Sequence, residues 1–421
     1  MRFQLSLPRG RMAHSWAAAA LAGSAGLGCV LAAGAQTPEP RVVHGQPAWI
    51  LRNGSVELSV TRRGGHMAPV TFYRNTREPV QPYYVSPWQA EKLQLDEPVL
   101  IPLRGDFFCL PFGGNQEAVG AEKHPVHGEV AGAEWTYAGQ QRRRDITSLT
   151  LTLDTRIRKG RVTKQLFLVD GENVLYSRHR IEGFAGPTPL GHHATLALPE
   201  KEGSMRIATS AIQFGMTAPG VFSDPAKREY QSFQAGRRFQ DLRRVPLAAK
   251  GAPDADVTRL PARIGFCDLL LLASQPPAKL GASAWVAAVV PDQRYLWFSL
   301  RDPEVLPSTV FWIENHGRHG SPWNGRNRCL GLEDVCAYFA DGLAASTRPN
   351  VLNRAGVRTA VELSGERPTA VNYIQGAARI PADFDAVSRA EFAPGSVTFI
   401  SPHGARVQVP VRHEFLRSGS L

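Results

Sequence analysis

The sequence predicts an all-β protein, a sandwich or barrel of many short antiparallel strands. Segments in which apolar and polar residues alternate recur along most of the chain, the pattern of strands with one buried face. Breakers interrupt them at short intervals, with 39 Gly and 32 Pro in 421 residues, as expected of a chain that turns often. Few stretches keep helical periodicity over three turns. No repeat of fixed period is present, which sets a propeller aside.

The opening segment reads as a signal peptide spanning residues 1–35. Arg2, Arg9 and Arg11 form a basic start, residues 16–33 are small and apolar, and Ala33-Gly34-Ala35 is a cleavage site before Gln36. The expectation is export to the periplasm or the medium, with no stable membrane span after cleavage. Lipidation at Cys29 is disfavoured because Gly26 stands where such signals usually carry Leu. Residues 36–47, Pro-rich and polar, read as an N-terminal linker, and residues 48–421 as a single domain.

Within that domain Val56, Leu58 and Val60 share one face of the first clear strand. Residues 147–155 alternate Leu149, Leu151 and Leu153 with Thr and Ser, and residues 162–168 follow across a hairpin-like connection at 158–161. Further strands are expected at 173–181, 194–198, 285–290, 295–300, 309–313, 357–363 and 396–400. Residues 226–239 and 335–345 read as short helices or loops. Residues 250–262, with Gly251, Pro253 and Pro261, form the best internal loop, placed between two halves of one sandwich.

The chain carries 48 Lys and Arg against 37 Asp and Glu, a formal net charge of +11. A nucleic-acid partner is still not expected. Arg142-Arg143-Arg144 is the only run of three, and no basic tract is interleaved with aromatics. Cys109, Cys267, Cys329 and Cys336 form no C-x-x-C motif. An oxidising compartment permits a Cys329–Cys336 disulfide. Buried thiols acting as small apolar residues are the equal alternative.

Four polar patches concentrate residues able to do chemistry. The first runs from Arg104 to Asn115 and reads either as a loop carrying these two side chains to a ligand or as an Arg104–Asp106 pair before a buried strand. The second is His124-Pro125-Val126-His127-Gly128-Glu129, where Gly128 allows a tight turn that leaves the His127 ring free. No His and carboxylate set of familiar spacing accompanies it, so no metal is expected. In the third, His192 and His193 face opposite sides of a strand, and the more polar face, His193 with Thr195, is the better site. The fourth runs from Phe311 to Val335. Its Trp312 and Trp323 suit the C–H face of a sugar ring, its Asn, Arg and His side chains, Arg326 among them, suit hydroxyls, and Glu333 and Asp334 close it.

In order along the chain, these patches resemble the aldose 1-epimerase (galactose mutarotase-like) superfamily. The similarity rests on Gly64-Gly65-His66, on Pro111 to Gly114 followed by His127-Gly128 and Trp135, on His193, and on Cys329-Leu330-Gly331-Leu332-Glu333. It implies a large antiparallel β-supersandwich and anomer interconversion by acid and base ring opening, with no cofactor. His193 would protonate the ring oxygen, Glu333 would take the anomeric proton, and His127 and Arg104 would hold hydroxyls. Arg104, Asn115, His127, His192, Trp323 and Arg326 are thus the candidate substrate-binding residues, for a sugar or oligosaccharide ligand. The two catalytic groups are expected on opposite sides of the ring. Three departures point to a divergent branch: Ala194-Thr195-Leu196 replaces aromatics after the histidine, Trp323 to Arg328 is an insertion, and Asp224, Asp241 and Asp268 compete for the family's mid-chain acid. Non-catalytic glycan binding through Trp312 and Trp323 is the alternative function. Polysaccharide processing with Asp334 or Glu314 as a second acid is a third.

Overall fold

A computed structural model describes residues 38–421, apart from residue 282. The expected signal peptide, its cleavage site, Cys29 and the first two linker residues lie outside the described residues.

Two large antiparallel sheets face each other. One has nine strands, in the spatial order Arg259–Leu260, Met205–Thr209, Ala284–Val290, Tyr295–Arg301, Thr369–Arg379, Val174–Glu182, Gly160–Val169, Ile146–Thr155, Thr136–Arg143. The other has eight. Its path runs Arg238–Phe239, Ile212–Thr217, Phe266–Ser274, Ser308–Asn315, Arg328–Cys336, Leu190–His192, Phe108–Cys109, and Ala194–Ala197 pairs beside it with Arg328–Cys336. A four-stranded sheet at the N-terminal end, a three-stranded sheet at the C-terminal end and a two-stranded pair of Gly186–Thr188 with Val361–Leu363 make up the rest.

The alternation read from sequence explains the layering. Leu149, Leu151, Val162, Leu166 and Leu168 turn inward and meet Leu58, Val60, Phe311, Leu330 and Leu332 in one core. The opposite face of the nine-stranded sheet, with Trp285, Phe298 and Leu300, is covered by Val397, Phe399 and Phe415 from the C-terminal segment. The outer face of the eight-stranded sheet is covered by loops, through Tyr84, Trp88, Leu103, Phe107, Phe112 and Phe339. Covering by loops rather than by a third sheet leaves room for a cleft there.

The expected linker is partly a strand. Arg41–Val43 pairs with Gln46–Arg52 across His44-Gly45, and both loop residues have positive φ, 44° and 76°. That is the geometry of a two-residue hairpin of the twist that fits adjoining strands. The 250–262 loop does not divide the sandwich, since strands before and after it enter both large sheets. Residues 226–239 hold only a short 3-10 turn, Pro225–Lys227, and a two-residue strand. Residues 335–345 finish a strand at Cys336 and begin the helix Gly342–Thr347. The four cysteines are free and buried. Cys329 and Cys336 lie on one strand, seven residues apart, so their side chains leave opposite faces and cannot meet.

Candidate functional site

A cleft of about 460 Å³ opens on the outer face of the eight-stranded sheet, within the size range of small-ligand sites. Its floor is Glu333, from the central strand Arg328–Cys336, and His193, from the bend between two short neighbouring strands. Phe107, Trp312 and Trp323 form apolar walls, and His127, Arg318 and Asp341 add polar groups. Glu333 is 2% exposed and His193 is 4% exposed.

Nε2 of His193 lies 3.1 Å from Oε1 of Glu333. The expectation of two groups on opposite sides of a ring does not hold, because they touch and present themselves from one side. Local sequence explains the contact. Gly331 precedes Glu333 by two residues and shares its face, and a Cβ there would stand 2.5 Å from Glu333 Oε1. Glycine leaves the volume that the carboxyl fills. Nδ1 of His193 lies 3.1 Å from Thr195 Oγ1, which leaves Nε2 as the ring atom facing Glu333. The ring is further fixed by stacking on Phe107 at 4.5 Å, and His66 stacks on the other side of that Phe at 4.0 Å.

Burial disfavours charge on both partners. It pushes the Glu333 carboxyl well above its ordinary range. It holds the His193 imidazole well below its own, with nearby His127 adding to the effect. Both shifts run towards the neutral form of each group, a carboxyl facing an unprotonated imidazole. In those forms the pair contains one proton to give and one lone pair to receive.

His127 sits with φ 59° before Gly128 at φ 78°. A Cβ on Gly128 would meet Leu110 O at 1.9 Å, so only glycine fits this turn. Nδ1 of His127 accepts the Gly113 N–H at 3.3 Å, which leaves the proton on Nε2. Its ring centroid is 4.9 Å from that of His193, and burial lowers it to about 4. Trp323 packs edge to face on Trp88 at 5.0 Å and on Trp312 at 5.7 Å. Trp312 in turn reaches His193 at 5.8 Å. The residues around the inserted loop thus build a wall next to the paired groups.

Four of the expected binding residues lie elsewhere. Arg104 is fully buried and spends its guanidinium on the carbonyls of Pro102, Val43 and His44 and on Gln89. It clamps the N-terminal hairpin, an acceptor set invisible before that hairpin exists. Asn115 donates to the carbonyls of Pro111, Gly113 and Pro125 and accepts from Leu343 N–H, so it ties loops together. His192 turns into the interior, 2.9 Å from Asp106 and stacked on Tyr373. Arg326 makes a surface ion pair with Glu91.

The acids also separate. Asp334 faces the core and is held by Arg301, Ser299, Thr309 and Tyr373. Glu314 accepts the backbone N–H groups of Gly317 and Arg318. Asp268 binds Ser232 and Phe233, Asp224 caps a 3-10 turn, and Asp241 pairs with Arg243. None of these lines the cleft. Asp341, which sequence reasoning missed, does, and its carboxylate makes no hydrogen bond among the described residues. Only its place two residues beyond Phe339, on the loop that accepts the Gly114 N–H, distinguishes it. Among the described residues, no group of three or more His, Cys, Asp or Glu could hold a metal ion, and no helix is long and apolar enough to cross a membrane.

No family model matches the sequence, and no curated protein matches it. Solved structures do match. A protein provisionally described as an aldose 1-epimerase from Escherichia coli K12 superposes with a TM-score of 0.51 at 16% identity, covering 80% of this chain and 100% of that one. A galactose mutarotase-like protein from Clostridium acetobutylicum gives 0.53 at 9% identity, over 81% and 98% of the two chains. A galactose mutarotase related enzyme from Lactobacillus acidophilus gives 0.50 at 11% identity, over 78% and 97%. The chain has the galactose mutarotase-like β-supersandwich fold. Its low sequence identity to these structures fits a divergent branch, and the likeness extends to the fold alone.

Proposed function

We propose that this is an exported carbohydrate-active protein that interconverts sugar anomers by general acid and base ring opening, with His193 and Glu333 as the catalytic pair. The observation that carries the reading is the 3.1 Å contact between these side chains on the floor of an aromatic-walled cleft. The anomeric O1 and the ring O5 of an aldopyranose share one carbon. Two groups that meet each other can therefore address both oxygens from one side.

The neutral forms exchange the roles expected from the resemblance: His193, not Glu333, is the base, and its Nε2 takes the O1 proton as the C1–O1 bond becomes a carbonyl. The C1–O5 bond breaks, and the Glu333 carboxyl delivers its proton to O5. The pair is left as imidazolium and carboxylate, a contact ion pair. Rotation about C1–C2 presents the other face of the aldehyde. Closure reverses each transfer and restores the starting forms. Such catalysis is typically worth about 10²–10⁴-fold. Trp312 and Trp323 would take the C–H face of the sugar, and His127 and Asp341 its hydroxyls.

Polarimetry of freshly dissolved aldoses tests this. Wild type should hasten the approach to equilibrium, and Glu333→Gln should return it to the uncatalysed rate. Non-catalytic glycan binding is the second reading, favoured by the Trp312 and Trp323 wall of the cleft. It requires sugar binding without faster anomer exchange, surviving Glu333→Gln but not Trp323→Ala.

A further inference from the structure

Seven large apolar side chains are exposed among the described residues, and four of them, Val221, Phe222, Tyr230 and Ile264, fall around one loop. Scattered singly, such residues need no explanation, but a group of them marks a surface that a ligand covers. The loop, residues 218–232, stands at the mouth of the cleft, and Phe222 is one of the residues lining it. Tyr230 lies outside that lining, further along the same loop. Phe222 is 37% exposed and Tyr230 is 43% exposed.

The loop is fixed at several points. At its start the Ala218 N–H bonds to Leu269 O at 2.9 Å, and near its end Tyr230 O accepts the Cys267 N–H at 2.8 Å. Both partners belong to the strand Phe266–Ser274, and Leu269 also lines the cleft. Asp268, between them, accepts the N–H groups of Ser232 and Phe233 at 2.6 and 3.0 Å. Across the loop, the Gln231 side chain accepts the Phe222 N–H at 3.0 Å. That bond brings Phe222 and Tyr230 to one stretch of surface. Arg263 donates to Ser232 Oγ at 2.9 Å and so sets Ile264, the next residue, beside the same end of the loop.

Two exposed aromatic rings on a tethered loop have the chemistry of a sugar platform. Each offers an apolar face to the C–H face of a pyranose, and Tyr keeps a hydroxyl for a sugar oxygen. A loop already tied down loses little further freedom when a ligand covers it. The charges suit a neutral ligand, because Arg318 in the cleft wall is already answered by Glu314 at 3.9 Å and by the nearby Glu229 carboxylate. The direction of the ligand follows from the floor. A sugar with its anomeric carbon at His193 and Glu333 turns its far end to the mouth, so a glycosidic bond there leaves past Phe222.

We propose that the cleft takes the reducing end of a neutral oligosaccharide, whose following residues lie on Phe222 and then on Tyr230. This rests on the sugar reading above and narrows its substrate from a free monosaccharide to the end of a chain.

Isothermal titration of the full chain tests it. The probes are glucose and galactose, and the malto-, cello-, laminari- and galacto-oligosaccharides of two to four residues, each with a free reducing end and as its alditol. The expected result is that in at least one series the tetrasaccharide binds about tenfold or more tightly than its monosaccharide, and that reduction to the alditol weakens it. The double variant Phe222→Ser with Tyr230→Ser should bring the tetrasaccharide-to-monosaccharide ratio close to one, with unchanged near-UV circular dichroism. Tyr230→Ser alone should weaken the tetrasaccharide more than the disaccharide. Equal binding of monosaccharide and tetrasaccharide in every series, a length preference that survives the double variant, or equal binding of a tetrasaccharide and its alditol overturns the proposal and leaves the sugar reading intact. A dimer by light scattering that the double variant dissociates assigns the patch to a second copy and overturns it as well. Binding of no saccharide of any length overturns both.

Discussion

His193 Nε2 and Glu333 Oε1 stand 3.1 Å apart, and both side chains are almost wholly shielded from solvent. In water such a pair would be imidazolium and carboxylate. Here burial raises the acid and lowers the base, each towards its neutral form.

This sets the pH dependence of anomer exchange. The working form needs His193 unprotonated and Glu333 protonated. Because His193 is lowered, the acid limb of the profile should fall below the ordinary imidazole value of 6.5. Because Glu333 is raised, the alkaline limb should lie well above the ordinary 4.5. The rate should be flat between them. A stopped-flow profile whose acid limb lies at or above 6.5 would contradict the neutral pair. His127 should titrate near 4 when its imidazole signals are followed by NMR. Between about pH 6.5 and 4 an unfolded chain takes up a proton that folded His127 refuses. Its contribution to stability is therefore lost as pH falls through that window.

Arg104→Met should lower stability and leave sugar affinity unchanged in the folded fraction. The guanidinium holds the carbonyls of Pro102, Val43 and His44, and losing such charge-assisted bonds costs about 3 kcal/mol. Denaturant unfolding with parallel ligand titration checks both halves. A stable variant with weakened binding would return Arg104 to the site.

Trp323→Ala should do both kinds of damage. The ring packs on Trp88 and Trp312 and is 8% exposed, so truncation costs about 3 kcal/mol. It also removes a cleft wall, and sugar affinity should fall about tenfold. Trp323→Phe should retain most of both. Unchanged affinity in a folded Trp323→Ala would place the ligand away from this wall.

Strands with one wet face are legible from their alternation, and 285–290, 295–300 and 309–313 from their apolar, β-rich runs although both faces are buried; other fully buried strands are not. Residues 147–155 and 162–168 alternate because one side of each meets solvent. Phe266–Ser274 and Arg328–Cys336 are packed on both faces of the eight-stranded sheet, so their patterns run apolar or mixed without a period. Thr369–Arg379 was equally illegible, because its inner face carries Tyr373 and Gln375 in a buried polar network. At the candidate site, His127, His193, Trp323 and Glu333 share one cleft. Arg104, Asn115, His192 and Arg326 are chemically just as suitable, and only the tertiary fold decides which donors are already spent. Arg318 and Asp341 enter the cleft from loops that lack regular periodicity.

The most direct test of the catalytic pair is magnetisation transfer between the α and β anomeric protons of a reducing sugar at equilibrium, read by NMR with catalytic amounts of protein. Wild type should produce exchange at least about 10²-fold above the protein-free rate, and His193→Gln and Glu333→Gln should each abolish it while still folding. Exchange at the protein-free rate with wild type, or undiminished exchange in either variant, would contradict the assignment of His193 and Glu333 as the groups that move the protons.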